Sequence, residues 1–240
     1  MKRFLLTVTI LFIVQSCSNI ENQMLLTGTV KGLKKGTLIL QKIKDTLLVS
    51  VDSVIVNGVS SFSFSEIIES PEVYYLYVRL KDGSLQDDHI AFFAEPGEIN
   101  INTTLKNFEI DAIISGSKNQ EQLTEYNKLM ERYNNKNLDL IEQMFNAKKD
   151  RKDSLIMAIE KKQTKLLISR YLATVNYSLR INDFELAPYL MISQVYDISK
   201  KYLDTVYNTL TPKVKDSKYG RALESLIQSR SQLPETGIIK

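Results

Sequence analysis

Residues 51–65, VDSVIVNGVSSFSFS, contain the pattern that decides the fold class. On both sides of Asn57-Gly58, β-branched and aromatic residues alternate with polar ones, as is typical of strands with one buried face. Asn-Gly between two such runs predicts a two-residue hairpin, because a type I′ turn requires positive φ at both central positions. The stretch therefore indicates antiparallel β-structure in the first half of the chain.

Similar strand-like runs extend on both sides of this stretch. They are MLLTGTV (24–30), TLILQKI (37–43), LLVSVDSVIV (47–56), FSFS (62–65), VYYLYVRL (73–80), HIAFFA (89–94), EININ (98–102) and FEIDAII (108–114). Seven of the nine glycines precede residue 117, and Glu95-Pro96-Gly97-Glu98 has the composition of a type II turn. Closely spaced strands without intervening helices predict an antiparallel β-sandwich over residues 24–116.

From Ser117 onward the apolar residues follow a helical spacing. Ser117 with Gln120 three positions later is a capping-box pattern, which marks the start of a helix. Apolar side chains then recur every three or four residues, as on one helix face. They are Leu123, Tyr126, Met130, Tyr133, Leu140 and Met144, and then Leu155, Ile156, Ile159, Leu166, Leu167 and Tyr171. Residues 117–230 are therefore predicted to be all-helical, which makes the chain an α+β protein.

Three details of the helical region follow from its polar residues and prolines. The charged segment NAKKDRKD (146–153) is interpreted as the tip of a helical hairpin; a solvated stretch of one long helix is the alternative. Later helices are predicted at 188–199, 200–210 and 217–229. Pro188 is expected in the first turn of its helix, where its missing N–H costs nothing. A short tail, 231–240, completes the chain.

The first residues have the pattern of a lipoprotein signal peptide. A basic start, MKR, precedes a run of eleven residues (4–14) of which nine are apolar, too short for a transmembrane helix and typical of a signal sequence. Val14-Gln15-Ser16-Cys17 then resembles a bacterial lipobox, although Gln15 departs from the small or branched residue usual there. An ordinary secretory signal is the alternative. We expect residues 1–16 to be removed, Cys17 to be lipidated and residues 17–23 to form a tether.

This anchoring predicts a cell-envelope location, with the membrane bound through acyl chains on Cys17. Ser18 does not resemble an inner-membrane retention signal, so the outer membrane is favoured, on either face. The formal charge of +3 is too small to indicate nucleic acid as a partner.

Few residues indicate catalysis. Cys17 is the only cysteine and His89 the only histidine, so a Cys–His pair, a CxxC dithiol or a thiolate metal site is not available. His89 beside Asp87 and Asp88 is interpreted as a surface histidine entering a strand, with a hydrolytic triad as the alternative. We therefore predict no catalytic, cofactor-binding or metal-binding residue, and no cofactor.

Two groups of residues leave binding alternatives open. Glu95 and Glu98 are interpreted as solvated turn carboxylates; a cation-binding pair is the alternative. Tyr74, Tyr75 and Tyr77 would form a carbohydrate platform. Alternation along a strand instead places Tyr75 and Tyr77 on one face and Tyr74 on the other, which favours a core position for part of the group.

Four stretches in order resemble one known family, the domain of unknown function 4369. They are GTVKGLKKGTLILQ (28–41), VDSVIVNGVSSFSFS (51–65), FFAEPGEININ (92–102) and ISGSKNQEQLTEY (114–126). The resemblance implies a domain of Bacteroidetes-type lipoproteins that precedes a thioredoxin-like module carrying a CxxC dithiol. KVKDSKYGRALESLI (213–227) is similar to the helix before that module. Because the chain ends at Lys240, we expect the module to be lacking, so thiol–disulfide activity transfers to no residue.

We therefore expect a non-catalytic cell-envelope lipoprotein that serves as a binding or scaffolding module, with a protein partner in the envelope. One alternative is an accessory to thiol–disulfide exchange that acts with a separately encoded thioredoxin-like protein. Another is a carbohydrate-binding module or a hydrolase with an unrecognised site.

Overall fold

The computed structural model describes residues 22–231, in which a strand region is followed by a helical one. The strands are β1 (Gln23–Lys31), β2 (Lys35–Lys44), β3 (Leu47–Asn57), β4 (Ser61–Ile67), β5 (Glu72–Leu80), β6 (Leu85–Ala94), β7 (Gly97–Thr104) and β8 (Ile113–Ser115). The helices are α1 (Lys118–Lys149), α2 (Asp153–Arg180), α3 (Leu186–Gln194), α4 (Lys200–Thr209), α5 (Pro212–Lys215) and α6 (Lys218–Arg230). The predicted α+β class is confirmed. The predicted signal peptide, Cys17 and nearly all of the tail lie outside the described residues.

The strands form two four-stranded sheets. The first has the order β4-β1-β7-β8 and the second the order β3-β2-β5-β6. The predicted antiparallel pairing holds for every described pair except β1 and β7, which run parallel from Met24 opposite Gly97 to Lys31 opposite Thr104. This pair joins strands about 70 residues apart in the chain, so no local pattern indicates its direction.

The apolar core of the sandwich lies between the two sheets. Alternate residues of each strand point into it, and its largest fully buried side chains include Phe64, Tyr74 and Phe92. The core is continuous over residues 24–114 and includes no residue from the helices. The alternation of apolar and polar residues predicted along the strands therefore builds this core.

The prediction of a two-residue hairpin at Asn57-Gly58 is wrong. β3 pairs with β2 and β4 pairs with β1, so this turn connects strands of different sheets. Gly58 does adopt a positive φ of +92°, which is why glycine suits the position. The tight two-residue hairpin lies instead at Asp45-Thr46, where Lys44 pairs with Leu47 and Asp45 has a φ of +57°.

The last predicted strand, FEIDAII, is mostly a turn. Residues 106–111 form turns, and only Ile113–Ser115 pairs with β7. Phe108 is fully buried and its carbonyl accepts a hydrogen bond from Thr103 Oγ1 at 2.7 Å. The apolar residues of this stretch therefore close the end of the sandwich rather than extend a sheet.

The helical hairpin predicted around residues 146–153 is confirmed. α1 ends at Lys149 and α2 begins at Asp153, with Arg151 between them at a φ of +54°. Pro188 lies in the first turn of α3, as predicted, but that helix ends at Gln194 rather than at residue 199. The short helix α5 was not predicted.

A second apolar core joins the helices to the outer face of the second sheet. Val73 and Phe93 point away from the sandwich core and pack with apolar side chains from α1, α2, α3, α4 and α6. Phe93 meets Tyr189 and Tyr219 edge-on, with ring centroids 5.9 and 6.0 Å apart. Among the described residues, no helix is both long and apolar enough to cross a membrane.

Candidate functional site

Within residues 22–231, the residues weighed for chemistry from the sequence lie in two places: His89 with Tyr75 and Tyr77 on the second sheet, and Glu95 at the start of α1. Cys17 lies outside the described residues. His89 lies on β6, half-buried, where it stacks on Tyr77 with ring centroids 5.0 Å apart and an interplanar angle of 19°. Its pairing with Tyr77 across the sheet, rather than with a serine and an aspartate, agrees with a histidine that packs at the surface.

The three tyrosines of β5 divide between the two faces of the sheet as predicted. Tyr74 is fully buried in the sandwich core, and its hydroxyl accepts a hydrogen bond from Lys42 Nζ at 3.0 Å. Tyr75 and Tyr77 lie half-buried on the outer face next to His89. Tyr75 also packs against the second core, so a carbohydrate-binding role would use the part of the outer face around Tyr77 and His89.

Glu95 caps helix α1. Its carboxylate accepts hydrogen bonds from Lys118 N at 2.5 Å and Asn119 N at 3.3 Å, two of the amides that have no partner within the helix. Ser117 adds the predicted cap by accepting from Gln120 N at 3.1 Å. The Gln120 side chain does not return to Ser117 but accepts from Phe93 N at 2.9 Å. Within residues 22–231, no group of three or more His, Cys, Asp or Glu side chains is placed to hold a metal ion.

Asn119 is the centre of a buried polar network that joins the sandwich to the helices. Its Nδ2 donates to Glu95 Oε2 at 2.7 Å and to Glu185 Oε2 at 3.0 Å. Its Oδ1 accepts from Leu186 N at 2.9 Å. Glu185 is also buried and pairs with Lys213 at 3.3 Å. The side chain of Asn119 thus binds the β6–β7 turn to the start of α3.

A second polar contact fixes α6 to the start of β5. Lys218 Nζ pairs with Glu72, and Lys218 N donates to Ser70 Oγ at 2.9 Å. The Tyr219 hydroxyl accepts a hydrogen bond from Val73 N at 3.0 Å. Burial raises the pKa of Tyr219 well above its usual range. Together with the Asn119 network, this contact joins the helices to the sandwich. We call the joined part, residues 22–133 and 168–231, the base.

The outer half of the α1–α2 hairpin, residues 134–167, extends beyond this base; we call it the hairpin arm. The apolar side chains of α1 that join the second core end at Tyr133, and those of α2 begin at Ile168. Within the arm, the fully buried side chains are Ala147 and Ile159. At about 1.5 Å per residue, residues 134–149 extend roughly 24 Å. The arm therefore packs on itself rather than on either core.

One flank of the arm carries an exposed apolar stripe. Leu138, Ile141 and Phe145 are 61%, 49% and 68% exposed, and their spacing of three and four residues places them on one side of α1. Single exposed apolar side chains are common on protein surfaces, whereas a contiguous group often marks an interaction site. The stripe is therefore a candidate contact surface.

The opposite flank of the hairpin contains a groove between α1 and α2, which we call the basic groove. Two neighbouring cavities of about 570 and 390 Å³ form it. Its charged lining residues are the basic Lys128, Arg132, Lys136, Lys162, Lys165 and Arg180 and the acidic Glu125 and Asp139. The excess of four positive charges gives the groove a positive potential.

The sequence contained a signal for this groove that apolar spacing alone does not reveal. Lys128, Arg132 and Lys136 recur every four residues, so they form one ridge along α1. Arg180 closes the groove near the base, with its guanidinium 4.6 Å above the Tyr177 ring and 3.6 Å from the Glu125 carboxylate. By contrast, no local pattern could identify Asn119, because both of its carboxylate partners are distant in the chain.

Residues 24–123 match the model of a family described as a domain of unknown function, DUF4369. The match confirms the resemblance of the N-terminal part of the chain, and it extends past the strands into the first turns of α1. Comparison with curated proteins gave no match.

Proposed function

We propose that this chain, with a DUF4369 region at residues 24–123, is a non-catalytic cell-envelope lipoprotein that holds a protein partner through its hairpin arm. The main support for the proposal is that the arm projects from the base and packs on neither core. Its apolar side chains join neither core, and it exposes three large apolar side chains on one flank. A base packed around two cores, with a projecting helical arm, is suited to positioning a partner rather than to enclosing a substrate.

The lipid anchor is the second part of the proposal and rests on Val14-Gln15-Ser16-Cys17. Acyl chains on Cys17 would hold the base near the membrane. Cys17→Ala removes the acceptor sulfur and is expected to release the protein from the membrane fraction. Retention of Cys17→Ala in that fraction would argue against lipidation.

The partner is tested in native membranes solubilised with a mild detergent. The wild-type protein is expected to migrate in native gels as a complex larger than the single processed chain. Substitution of Leu138, Ile141 and Phe145 by Ser should remove the complex without unfolding the protein, because all three side chains are exposed.

A matched control changes three exposed apolar side chains of the sandwich, Ile55, Ile110 and Ile113, to Ser. This variant is expected to keep the complex. Loss of the complex in the control and its persistence in the arm variant would contradict the proposal.

The second candidate function is an accessory role in thiol–disulfide exchange, which the DUF4369 match favours through the family resemblance. In that role the protein would bind a separately encoded thioredoxin-like protein. The purified protein is expected to show no insulin reduction of its own. Insulin reduction above background would contradict the non-catalytic assignment.

A further inference from the structure

We propose that the basic groove binds an acidic amphipathic helix of the protein partner. The inference rests on the proposed function, since it names the chemistry of the partner that the hairpin holds. It concerns a surface different from the apolar stripe. Ile141 follows Arg132 by nine residues, and Phe145 follows Lys136 by nine, so each pair is about half a turn apart on α1.

The charges of the groove select the sign of the ligand. On α1, Lys128, Arg132 and Lys136 are all exposed and lie one turn apart. On α2, Lys162 and Lys165 face the outer part of the same groove. Near the base, Arg180 pairs with the Glu125 carboxylate at 3.6 Å. Carboxylates spaced by one helical turn would complement the α1 ridge.

The floor of the groove selects an amphipathic ligand. Leu129, Leu140 and Leu166 are half-buried along it, and the Tyr177 ring lies beneath Arg180 at the end near the base. The groove extends from Glu125 to Gln143, which corresponds to about 27 Å of helix at 1.5 Å per residue. An apolar face flanked by carboxylates would therefore fill the floor and pair with the rims, as helices do when they bind in grooves.

This shape favours a helix over an anionic membrane surface. A bilayer surface is broad and meets the most protruding side chains, whereas the apolar floor of the groove is recessed between two helices. Binding of phospholipid headgroups would use the rim charges and leave the leucines without a partner. An acidic helix is the ligand that uses both features.

The test measures binding to the full chain, purified in a neutral detergent, by fluorescence anisotropy. The probe is a synthetic amphipathic helix with Glu on both flanks of a Leu face. The comparison peptides are a scrambled version of the same composition and a version with Lys in place of Glu. Short-chain phosphatidylglycerol is added separately as a competitor. NMR chemical-shift changes of groove residues locate the binding site.

We expect saturable binding of the acidic helix at the groove, weaker at higher salt, and no saturable binding of the scrambled or lysine peptide. The triple variant Lys128→Glu/Arg132→Glu/Lys136→Glu should weaken binding by on the order of tenfold or more. The control Lys31→Glu/Lys34→Glu/Lys106→Glu makes the same charge change at exposed sandwich positions and should retain binding.

Equal binding of the scrambled peptide, an equal loss in the control variant, or displacement by phosphatidylglycerol at the groove would each overturn the inference. The native-membrane complex separates this failure from that of the proposed function. A complex that needs the apolar stripe but survives the groove charge reversal would leave the partner-holding role standing and remove the acidic helix.

Discussion

Asn119 shows how a single side chain joins the two parts of the molecule. It is buried, and its amide group makes three hydrogen bonds, to Glu95, Glu185 and Leu186 N. An amide suits the position because it donates to two carboxylates and accepts from a backbone N–H at the same time. No ionised or purely accepting side chain of this size would do both.

Asn119→Ala is expected to lower the free energy of unfolding by about 2–3 kcal/mol, because it leaves the buried Glu185 carboxylate and Leu186 N without this partner. Urea unfolding followed by circular dichroism measures the change. Asn127→Ala, at an exposed position of the same helix, is the control and should have little effect. A similar loss in both variants would show that the network does not stabilise the joint.

Tyr171 makes the free energy of unfolding fall as the pH rises through the alkaline range. Burial, together with its hydrogen bond to Asp197 Oδ1 at 2.9 Å, raises the pKa of Tyr171 from 10.0 to about 12. A raised pKa in the folded state means that the folded protein holds the proton more tightly than the unfolded chain. This contribution to stability is present below pH 10 and is lost as the pH rises towards 12.

Tyr171→Phe should therefore show a smaller fall in the free energy of unfolding over that alkaline range than the wild type. The measurement is urea unfolding at a series of pH values. Phe145→Leu, at an exposed position outside both cores, changes no ionisable group; it is the control and should keep the wild-type slope. An unchanged slope in Tyr171→Phe would contradict this assignment.

Among the elements, the hairpin arm is the one whose stability depends on its own packing. Ile159 is fully buried in the arm, and no apolar side chain of residues 134–167 joins either core. Disruption inside the arm should therefore remain local, as in other regions with few contacts to the rest of the fold.

Ile159→Asp places a charge in this packing and should lower amide exchange protection in residues 134–167 by on the order of a hundredfold, equivalent to about 3 kcal/mol. The strands should keep their protection in hydrogen–deuterium exchange. Met157→Asp, at a position that is 65% exposed, is the control and should leave the arm protected. Loss of protection throughout the strands in Ile159→Asp would show that the arm and the base unfold together.

Local sequence patterns predicted most elements but not how the strands assemble. Alternation and β-branched or aromatic content identified seven of the strands, and the Ser117 cap located the start of α1. Asn57-Gly58 was misjudged because a turn sequence indicates a change of direction, not whether the next strand pairs with the previous one. The parallel pairing of β1 with β7 depends on contacts between distant residues and has no local signal.

The candidate site was predictable only in its outline. The polar tip at residues 146–153 indicated a hairpin, but that the arm packs on neither core depends on where α3, α4 and α6 pack. The four-residue spacing of Lys128, Arg132 and Lys136 was visible in the sequence. That Lys162 and Lys165 lie across from this ridge requires the antiparallel arrangement of α1 and α2.

For the whole molecule, the two cores and the joint between them define a base, and the arm projects from it. The sandwich core closes without the helices, while Val73 and Phe93 extend the helical core onto the sheet. We propose that acylation of Cys17 holds this base at the membrane, so that the arm meets other proteins of the envelope. We expect partner contact to occur at the arm and not on the sandwich.

Site-specific photo-cross-linking in intact cells tests this claim directly. A photoreactive amino acid replaces Phe145 on the arm or, as the control, Ile110 on the sandwich, which are 68% and 85% exposed. We expect a discrete protein adduct from position 145 and none from position 110. No adduct at 145, or the same adduct from both positions, would contradict this expectation.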